Sequence, residues 1–104
     1  MGMFDSLKSW MNVPIQVRPF LKRSGTGAAE YDEEREEYCY PLSEAVLITN
    51  RAGVEVKSGT QLYVDGNVQI DEQDSITFEG HERTVAAVTT FYRNGVPDVK
   101  VVYL

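Results

Sequence analysis

Residues 61–92 read QLYVDGNVQIDEQDSITFEGHERTVAAVTTFY, and this stretch decides the fold. Apolar side chains alternate with polar ones in two short runs, at Leu62 and Val64 and then at Ile76 and Phe78. A period of two is the pattern of a half-buried β-strand. Gly80-His81 predicts a tight hairpin turn, because glycine accepts a positive φ. Residues 84–92 are rich in β-branched residues and predict a third strand. The stretch therefore predicts an all-β chain built around a meander.

Strand patterns on either side extend this prediction to a small single-domain β-barrel of the SH3/OB-like kind. Alternating or β-rich segments occupy residues 15–21, 37–42, 45–49, 54–57 and 99–104. Pro19 interrupts the first of them, and because proline cannot donate to a ladder, that strand is predicted to be an edge strand or to be bulged. The predicted core is led by Val46, Ile48, Val56, Leu62, Val64, Ile76, Phe78, Val85, Val88, Val101 and Tyr103.

The N-terminal residues 1–12 have a different periodicity. Phe4, Leu7 and Trp10 recur at helical spacing, which predicts a short helical segment of about two turns. Such a short helix is stable only when it packs against something else. Two alternatives remain open at this point: the segment caps the barrel of its own chain, or its Trp10 face contacts a neighbouring subunit.

Residues 24–37 predict a long, flexible acidic loop. Glycines at 25 and 27 precede a run of six acids that includes a single base, Arg35. Such a segment buries too little apolar surface to offset the entropy lost on ordering. The residues that give this loop its predicted flexibility and charge are Gly25, Gly27, Glu30, Asp32, Glu33, Glu34, Glu36 and Glu37.

Length and charge limit the classes of function. A chain of 104 residues fits one domain, covering 1–104, since two cores would each be marginal in size. The net charge of −6 repels phosphate at long range and argues against a protein whose main function is to bind nucleic acid. The positive charge is concentrated in residues 1–29, where Arg18, Lys22 and Arg23 form a candidate basic patch.

No catalytic, metal or cofactor site is predicted. His81 is the only histidine, and no nucleophile is patterned beside it. One histidine and one cysteine, Cys39, cannot supply the three or four ligands that zinc needs. Cys39 lies in a tyrosine-rich strand and is predicted to be a buried or half-buried small residue. No apolar run reaches the length of a membrane span. We therefore expect a protein that is not an enzyme, binds no cofactor and has no contact with a membrane.

Three motifs in the second half resemble a known family. They are G-x-E-V-x-S at Gly53–Ser58, L-Y-V-D-G at Leu62–Gly66 and D-x-I-x-F-x-G at Asp74–Gly80, followed by Phe91-Tyr92, a turn and a closing apolar strand. The pattern over residues 45–104 resembles the minor capsid or head-completion proteins of tailed bacteriophages and prophages, also called head–tail stoppers.

The resemblance implies a structural role in the virion. Members of this family are β-barrel subunits of an oligomeric ring in the head–tail neck. The implied partners are the portal or adaptor protein on one side and tail proteins on the other, with DNA only transiently in the channel. The implied location is the virion neck, and the host cytoplasm before assembly. In such a ring, the implied subunit contacts are Phe4, Leu7, Trp10, Arg18, Lys22 and Arg23, and the acidic loops of all copies would converge on the axis.

A small nucleic-acid-binding barrel of the OB kind is the alternative function. Such proteins stack bases on exposed aromatic side chains in a basic groove. The available aromatic residues are Tyr31, Tyr38, Tyr40, Phe91 and Tyr92, and the only basic residues suited to such a groove are the Arg18, Lys22 and Arg23 patch.

Overall fold

The structure is a computed structural model that describes residues 10–104, and within them every regular element is a β-strand. The eleven strands are β1 (Val13–Arg18), β2 (Phe20–Arg23), β3 (Ala29–Tyr31), β4 (Arg35–Leu42), β5 (Val46–Thr49), β6 (Glu55–Ser58), β7 (Gln61–Asp65), β8 (Ser75–Phe78), β9 (His81–Thr84), β10 (Ala87–Arg93) and β11 (Val96–Tyr103). The predicted all-β class is confirmed.

Seven strands form one curled antiparallel sheet, a half-barrel in the order β10-β11-β7-β4-β1-β8-β9. The other four strands form two separate two-stranded ribbons, β2–β3 and β5–β6. Strands β9 and β10 are therefore the two edges of the half-barrel, and only Val85 and Ala86 separate them along the chain. The half-barrel is barrel-like, as predicted, and keeps two sheet edges.

The predicted meander over residues 61–92 is wrong in its connectivity. Strand β7 pairs with β4 and β11, whereas β8 pairs with β1 and β9, so β7 and β8 are not neighbours. The β8–β9 hairpin does exist, but Glu79 (φ 52°) and Gly80 (φ 80°) form its turn, one residue earlier than predicted. The predicted third strand over residues 84–92 is interrupted at Val85 and Ala86, which separate β9 from β10. Alternation indicated the strands correctly, but it contains no information about which strands pair.

One cluster of buried apolar residues forms the hydrophobic core. Its buried residues are Ile15, Val17, Cys39, Leu62, Val64, Ile70, Ile76, Phe78, Val85 and Val102, with Val88 packed against them. Val101 is buried as predicted, on the opposite face of β11 to Val102. Val46, Ile48 and Val56 were predicted in the core but are only half-buried, because they lie on the separate β5–β6 ribbon, and Tyr103 is half-buried as well.

The predicted strand over residues 15–21 is divided at Pro19: its second part, β2, is an edge strand with a register irregularity between Phe20 and Lys22, whereas its first part, β1, is not at an edge. Strand β1 lies between β4 and β8, with Ile15 and Val17 fully buried. Pro19 follows the strand and separates it from β2, so its missing N–H breaks no ladder of the half-barrel. For β1, the proline indicated a strand end where we had expected a strand edge.

Two predicted segments also look different from expectation. Most of the helical segment predicted over residues 1–12 lies outside the described residues; within it, Trp10 is in a turn and residues 11 and 12 have no regular structure. The segment 24–37 is not one continuous loop, because it contains all of β3 and the first residues of β4. Whether it is flexible stays a prediction.

Candidate functional site

The β2–β3 hairpin carries three of the charged residues that the sequence singled out, namely Lys22, Arg23 and Glu30. Lys22 and Glu30 face each other across the hairpin, with Nζ 3.9 Å from the carboxylate Oε2. Arg23 donates to the carbonyl oxygen of Gly27 at 3.2 Å. Arg18, just before the hairpin, lies 3.9 Å from Glu82 of β9. These are exposed pairs, so each contributes little to stability and the charges remain available to a partner.

Two aromatic rings form the centre of this hairpin. Phe20 and Tyr31 are register partners, and their rings meet edge to face with centroids 6.1 Å apart. The Arg18 guanidinium lies 5.1 Å from the Tyr31 ring centroid, and that of Arg23 lies 5.9 Å from the Phe20 centroid. A guanidinium at this distance from a ring is attracted to its negative face. The cations are thus positioned by the hairpin's own rings, which the sequence analysis did not foresee for Phe20.

A buried carboxylate anchors the base of the hairpin. Asp74 is buried, and one of its oxygens accepts the backbone N–H of Phe20 at 2.8 Å while the other accepts that of Asp71 at 2.9 Å. The N–H of Asp32 donates to the carbonyl of Pro19 at 2.7 Å, which closes the hairpin. Asp74 therefore ties the hairpin to the β7–β8 loop. The sequence contained no local signal for the contact with the hairpin, since Phe20 and Asp74 are 54 residues apart in the chain.

The hairpin tip, residues 24–28, is a tight turn. The Ser24 N–H donates to the Ala28 carbonyl at 2.7 Å, and the Gly27 N–H donates to the Ser24 carbonyl at 2.9 Å. Gly27 has φ +88°, a left-handed conformation that a side chain would disfavour. Gly25 lies in the same turn with open space where a side chain would point. Both predicted glycines thus lie at the end of the hairpin farthest from its anchor.

The acidic run is divided between two places. Asp32, Glu33 and Glu34 are exposed in the short connection between β3 and β4. Glu36 and Glu37 lie on β4, opposite Gln16 and Ile15 of β1. The predicted assembly residues therefore do not form one cluster.

The two β4 carboxylates have partners on the half-barrel. Glu37 pairs with Arg35 at 3.2 Å, and the Arg35 guanidinium also contacts the Gln69 carbonyl. Glu36 accepts the Tyr38 hydroxyl at 2.7 Å, and this hydrogen bond, together with the carboxylate charge, raises the pKa of Tyr38. Glu36 and Glu37 thus contact side chains of the half-barrel itself, and only the acids at residues 30–34 belong to the hairpin region.

Trp10 lies away from the hairpin. Its ring packs against Tyr40 at 5.8 Å between centroids, and Tyr40 in turn packs against Tyr63 at 6.2 Å. The Trp10 side chain remains mostly exposed. The other two predicted N-terminal contact residues, Phe4 and Leu7, lie outside the described residues. Burial raises the pKa of Tyr63, whose ring is covered by this row.

The aromatic residues considered for base stacking are dispersed. Tyr31 is on the hairpin, Tyr38 and Tyr40 are on β4, and Phe91 and Tyr92 are on β10. Two strands, β7 and β11, separate β4 from β10 in the sheet. A protein that binds single-stranded nucleic acid needs aromatic rings placed along one basic groove, so that successive bases can stack on them. This distribution of rings therefore does not favour the nucleic-acid alternative.

Within residues 10–104, no three His, Cys, Asp or Glu side chains are grouped so that they could hold a metal ion. No helix that could cross a membrane occurs in that part of the chain. His81 is the first residue of β9 and is exposed. It directly follows the turn of the β8–β9 hairpin, close to the position that the sequence predicted. Cys39 is fully buried, as predicted, and burial raises the pKa of its thiol to about 12.

The chain has a recognisable structural relative. No family model matches it, and no curated protein matches its sequence. Among solved structures it is similar to the phage-like element PBSX protein xkdH from Bacillus subtilis, with a TM-score of 0.51 and 16% sequence identity. The similarity covers 88% of this chain and 92% of that chain. At this level of identity the likeness shows a shared fold.

Proposed function

We propose that this chain is a structural protein of a tailed-bacteriophage virion, and that it acts in the head–tail connector. In this role it joins the portal or adaptor ring to the tail and closes the DNA channel after packaging. The observation that carries the proposal is the fold shared with a protein of a phage-like element over 88% of the chain. The three motifs between Gly53 and Gly80, which lie on strands β6, β7 and β8 of this fold, resemble the same family in pattern. The role is mechanical, and the protein is not an enzyme.

The β2–β3 hairpin is the part that we assign to the channel. Its base is fixed by Asp74, while its glycine-containing tip is exposed. In a ring of identical subunits, one hairpin from each copy would point toward the axis and narrow the passage. The exposed acids Asp32–Glu34, which follow the base of the hairpin, would repel the phosphates of DNA that reaches the wider part of the passage. Lys22 and Arg23 of a neighbouring copy would offset the repulsion between the acids themselves.

A stop codon in the gene tests the assignment. In the phage or prophage that encodes the chain, we expect electron micrographs to show filled or emptied heads separate from tails, with DNA accessible to nuclease. Supplying the wild-type chain in trans should restore tailed particles. Infectious, tailed virions formed without the chain would rule out a connector role.

A second variant separates channel closure from tail joining. Replacing residues 24–28 with a two-residue turn shortens the hairpin without touching its anchor at Asp74. We expect the shortened chain to enter particles and to join tails, but to retain less DNA than wild type. A variant with Lys57→Ala, an exposed residue on the other ribbon, serves as the control. Normal DNA retention in particles with the shortened chain would show that the hairpin takes no part in closing the channel.

The nucleic-acid alternative has its own test. Filter binding of the isolated chain to single-stranded DNA should show weak retention that disappears as salt is raised. Tight retention that depends steeply on salt, and is lost in Arg18→Ala and Arg23→Ala variants, would favour the alternative.

A further inference from the structure

The two ribbons of this molecule have few backbone neighbours besides themselves. Within residues 10–104, β2 and β3 make their main backbone contacts with each other, and so do β5 and β6. Neither ribbon extends the seven-stranded sheet. Elements with few such contacts open more easily than core strands. The hydrogen bonds and ion pairs that tie the ribbons to the rest of the chain are therefore important for their positions.

Both ribbons are bound to one short segment, residues 71–74 of the β7–β8 loop, which we call the linking segment. Arg51, at the tip of the β5–β6 ribbon, contacts the first half of this segment. The Arg51 N–H donates to the Glu72 carboxylate at 2.8 Å, and the Arg51 guanidinium pairs with Asp71. The last residue of the same segment, Asp74, anchors the β2–β3 hairpin. The two ribbons thus share one support.

Hydrogen bonds inside the linking segment join its two halves. The Asp71 oxygen that pairs with Arg51 also accepts the Glu72 N–H at 2.8 Å. The Asp71 N–H donates to one oxygen of Asp74 at 2.9 Å, and the other oxygen of Asp74 accepts the Phe20 N–H at 2.8 Å. A continuous chain of contacts therefore runs from the tip of the β5–β6 ribbon to the base of the hairpin.

Charge and backbone conformation make the linking segment depend on Arg51. Asp71, Glu72 and Asp74 place three carboxylates within four positions of the chain, and like charges so close repel one another. Arg51 brings a positive charge to this group. Gln73 has φ +75°, a conformation that is uncommon for a residue with a side chain and persists only when the surroundings hold it. Without Arg51, repulsion and backbone strain both favour a different arrangement of the segment.

We propose that the linking segment couples the two ribbons, and that Arg51 is a positioning residue that holds the β2–β3 hairpin through Asp71 and Asp74. Release of the β5–β6 tip then loosens the hairpin, although the ribbons share no strand pairing. In the connector, a partner that draws the β5–β6 ribbon away frees the hairpin that narrows the channel. The inference deepens the proposed function and rests on it for this role, but the coupling itself is a property of the isolated chain.

Amide hydrogen exchange in the isolated chain measures the coupling. Arg51→Gln removes the guanidinium and keeps the backbone N–H. The ion pair is exposed and weak by itself, so we expect exchange at the Phe20 N–H and in the β2–β3 ladder to become about fivefold faster, the lower end of coupling between separate sites. Amides of β7 and β11 should keep their wild-type rates. Arg51→Lys, which retains the charge, should restore most of the protection.

Lys57→Gln is the matched control, because it removes the same charge from an exposed position on the same ribbon. It should leave exchange in the hairpin unchanged. Unchanged hairpin exchange in Arg51→Gln would overturn the proposal, and so would equal acceleration in Arg51→Gln and Lys57→Gln. Acceleration that is equal in the hairpin, β7 and β11 would show a general loss of stability and would overturn it as well.

A double substitution tests whether Arg51 acts through Asp74. Asp74→Ala removes the acceptor that holds the hairpin, so adding Arg51→Gln should not accelerate hairpin exchange further. Two accelerations that multiply would show independent effects and contradict the proposed route. If the chain is found in the neck but hairpin exchange does not respond to Arg51→Gln, this inference alone fails. If hairpin exchange responds and the chain is absent from the neck, the proposed function alone fails.

Discussion

Single residues with unusual environments give the sharpest tests of the structure. Cys39, Gly66 and Asp74 are all buried, and each is surrounded by groups from distant parts of the chain. The burial of Cys39 was predictable from its place in a strand of tyrosines. The surroundings of Gly66 and Asp74 were not, because they depend on which loops meet in space.

The Cys39 thiol should be inert in the folded protein. Burial raises its pKa to about 12, so the reactive thiolate is scarce near neutral pH. At pH 8 we expect a disulfide reagent to label native protein roughly 100-fold more slowly than protein in urea, since labelling requires opening of the core. Burial of the neutral Cys39 thiol stabilises the folded state fully at pH values below the unfolded-state pKa of 9.0. This stabilisation declines as the pH rises toward 12, the pKa in the folded state. Equal labelling rates in buffer and urea would mean that the thiol is not in the core.

Gly66 should tolerate no side chain. A Cβ atom there would lie 2.5 Å from the Pro97 carbonyl carbon and 2.6 Å from the Asp98 nitrogen, both of which are backbone atoms. We expect Gly66→Ala to lower the free energy of unfolding by about 1–3 kcal/mol, the usual cost of overpacking. Gly59→Ala is the matched control, because nothing lies within 4 Å of its Cβ position. Similar urea midpoints for the two variants would contradict the close approach of the β7–β8 loop to β11.

At the scale of elements, the Asp74 contacts determine where the β2–β3 hairpin is held. Asp74→Ala leaves the part-buried backbone N–H groups of Phe20 and Asp71 without their acceptor, at a cost of about 0.5–1.5 kcal/mol for each lost hydrogen bond. We expect a lower melting temperature and faster amide exchange in β2 and β3, with partial recovery in Asp74→Asn, which keeps one acceptor oxygen. Unchanged exchange in the hairpin would show that it is anchored elsewhere.

The C-terminal strand should be essential to the half-barrel. Strand β11 lies between β10 and β7, and Val102 belongs to the core. Deleting Val101–Leu104 removes that core contact and leaves both neighbours without much of their ladder. We expect the shortened chain to lose its cooperative thermal transition. A deletion variant that stays soluble and unfolds cooperatively would show that the tail is dispensable.

The strands could be predicted from the sequence, but most of their partners could not. Alternation at Leu62 and Val64 depends only on neighbouring side chains, so it identified β7. The pairing of β7 with β4 and β11 joins residues far apart in sequence and leaves no local signal. The same reason explains why Val46 and Ile48 look like core residues, although they lie on a separate ribbon. In the candidate site, the charged residues were predicted, while the Phe20 ring and the Asp74 anchor that position them were not.

At the scale of the whole molecule, the half-barrel is accompanied by two ribbons with different surfaces. The β2–β3 ribbon is charged on both strands and anchored at its base. The β5–β6 ribbon has one charge-free edge and is tied at its tip by Arg51. We assign the β2–β3 ribbon to the channel because its base is anchored and its tip is exposed. Its strands carry two bases, Lys22 and Arg23, against one acid, Glu30, so the repulsion of DNA in this assignment comes from the exposed acids that follow the ribbon.

The measurement that tests the connector assignment most directly is the position of the chain in the virion. A small epitope inserted at Thr26, in the exposed hairpin tip, can be labelled with gold after gentle opening of particles, and a tag after Leu104 serves as a second label. We predict that the C-terminal label lies at the junction of head and tail in nearly every particle. The hairpin label should become accessible only in necks that have been separated from tails. Labels spread over the capsid or along the tail, or purified virions that lack the chain, would contradict the account.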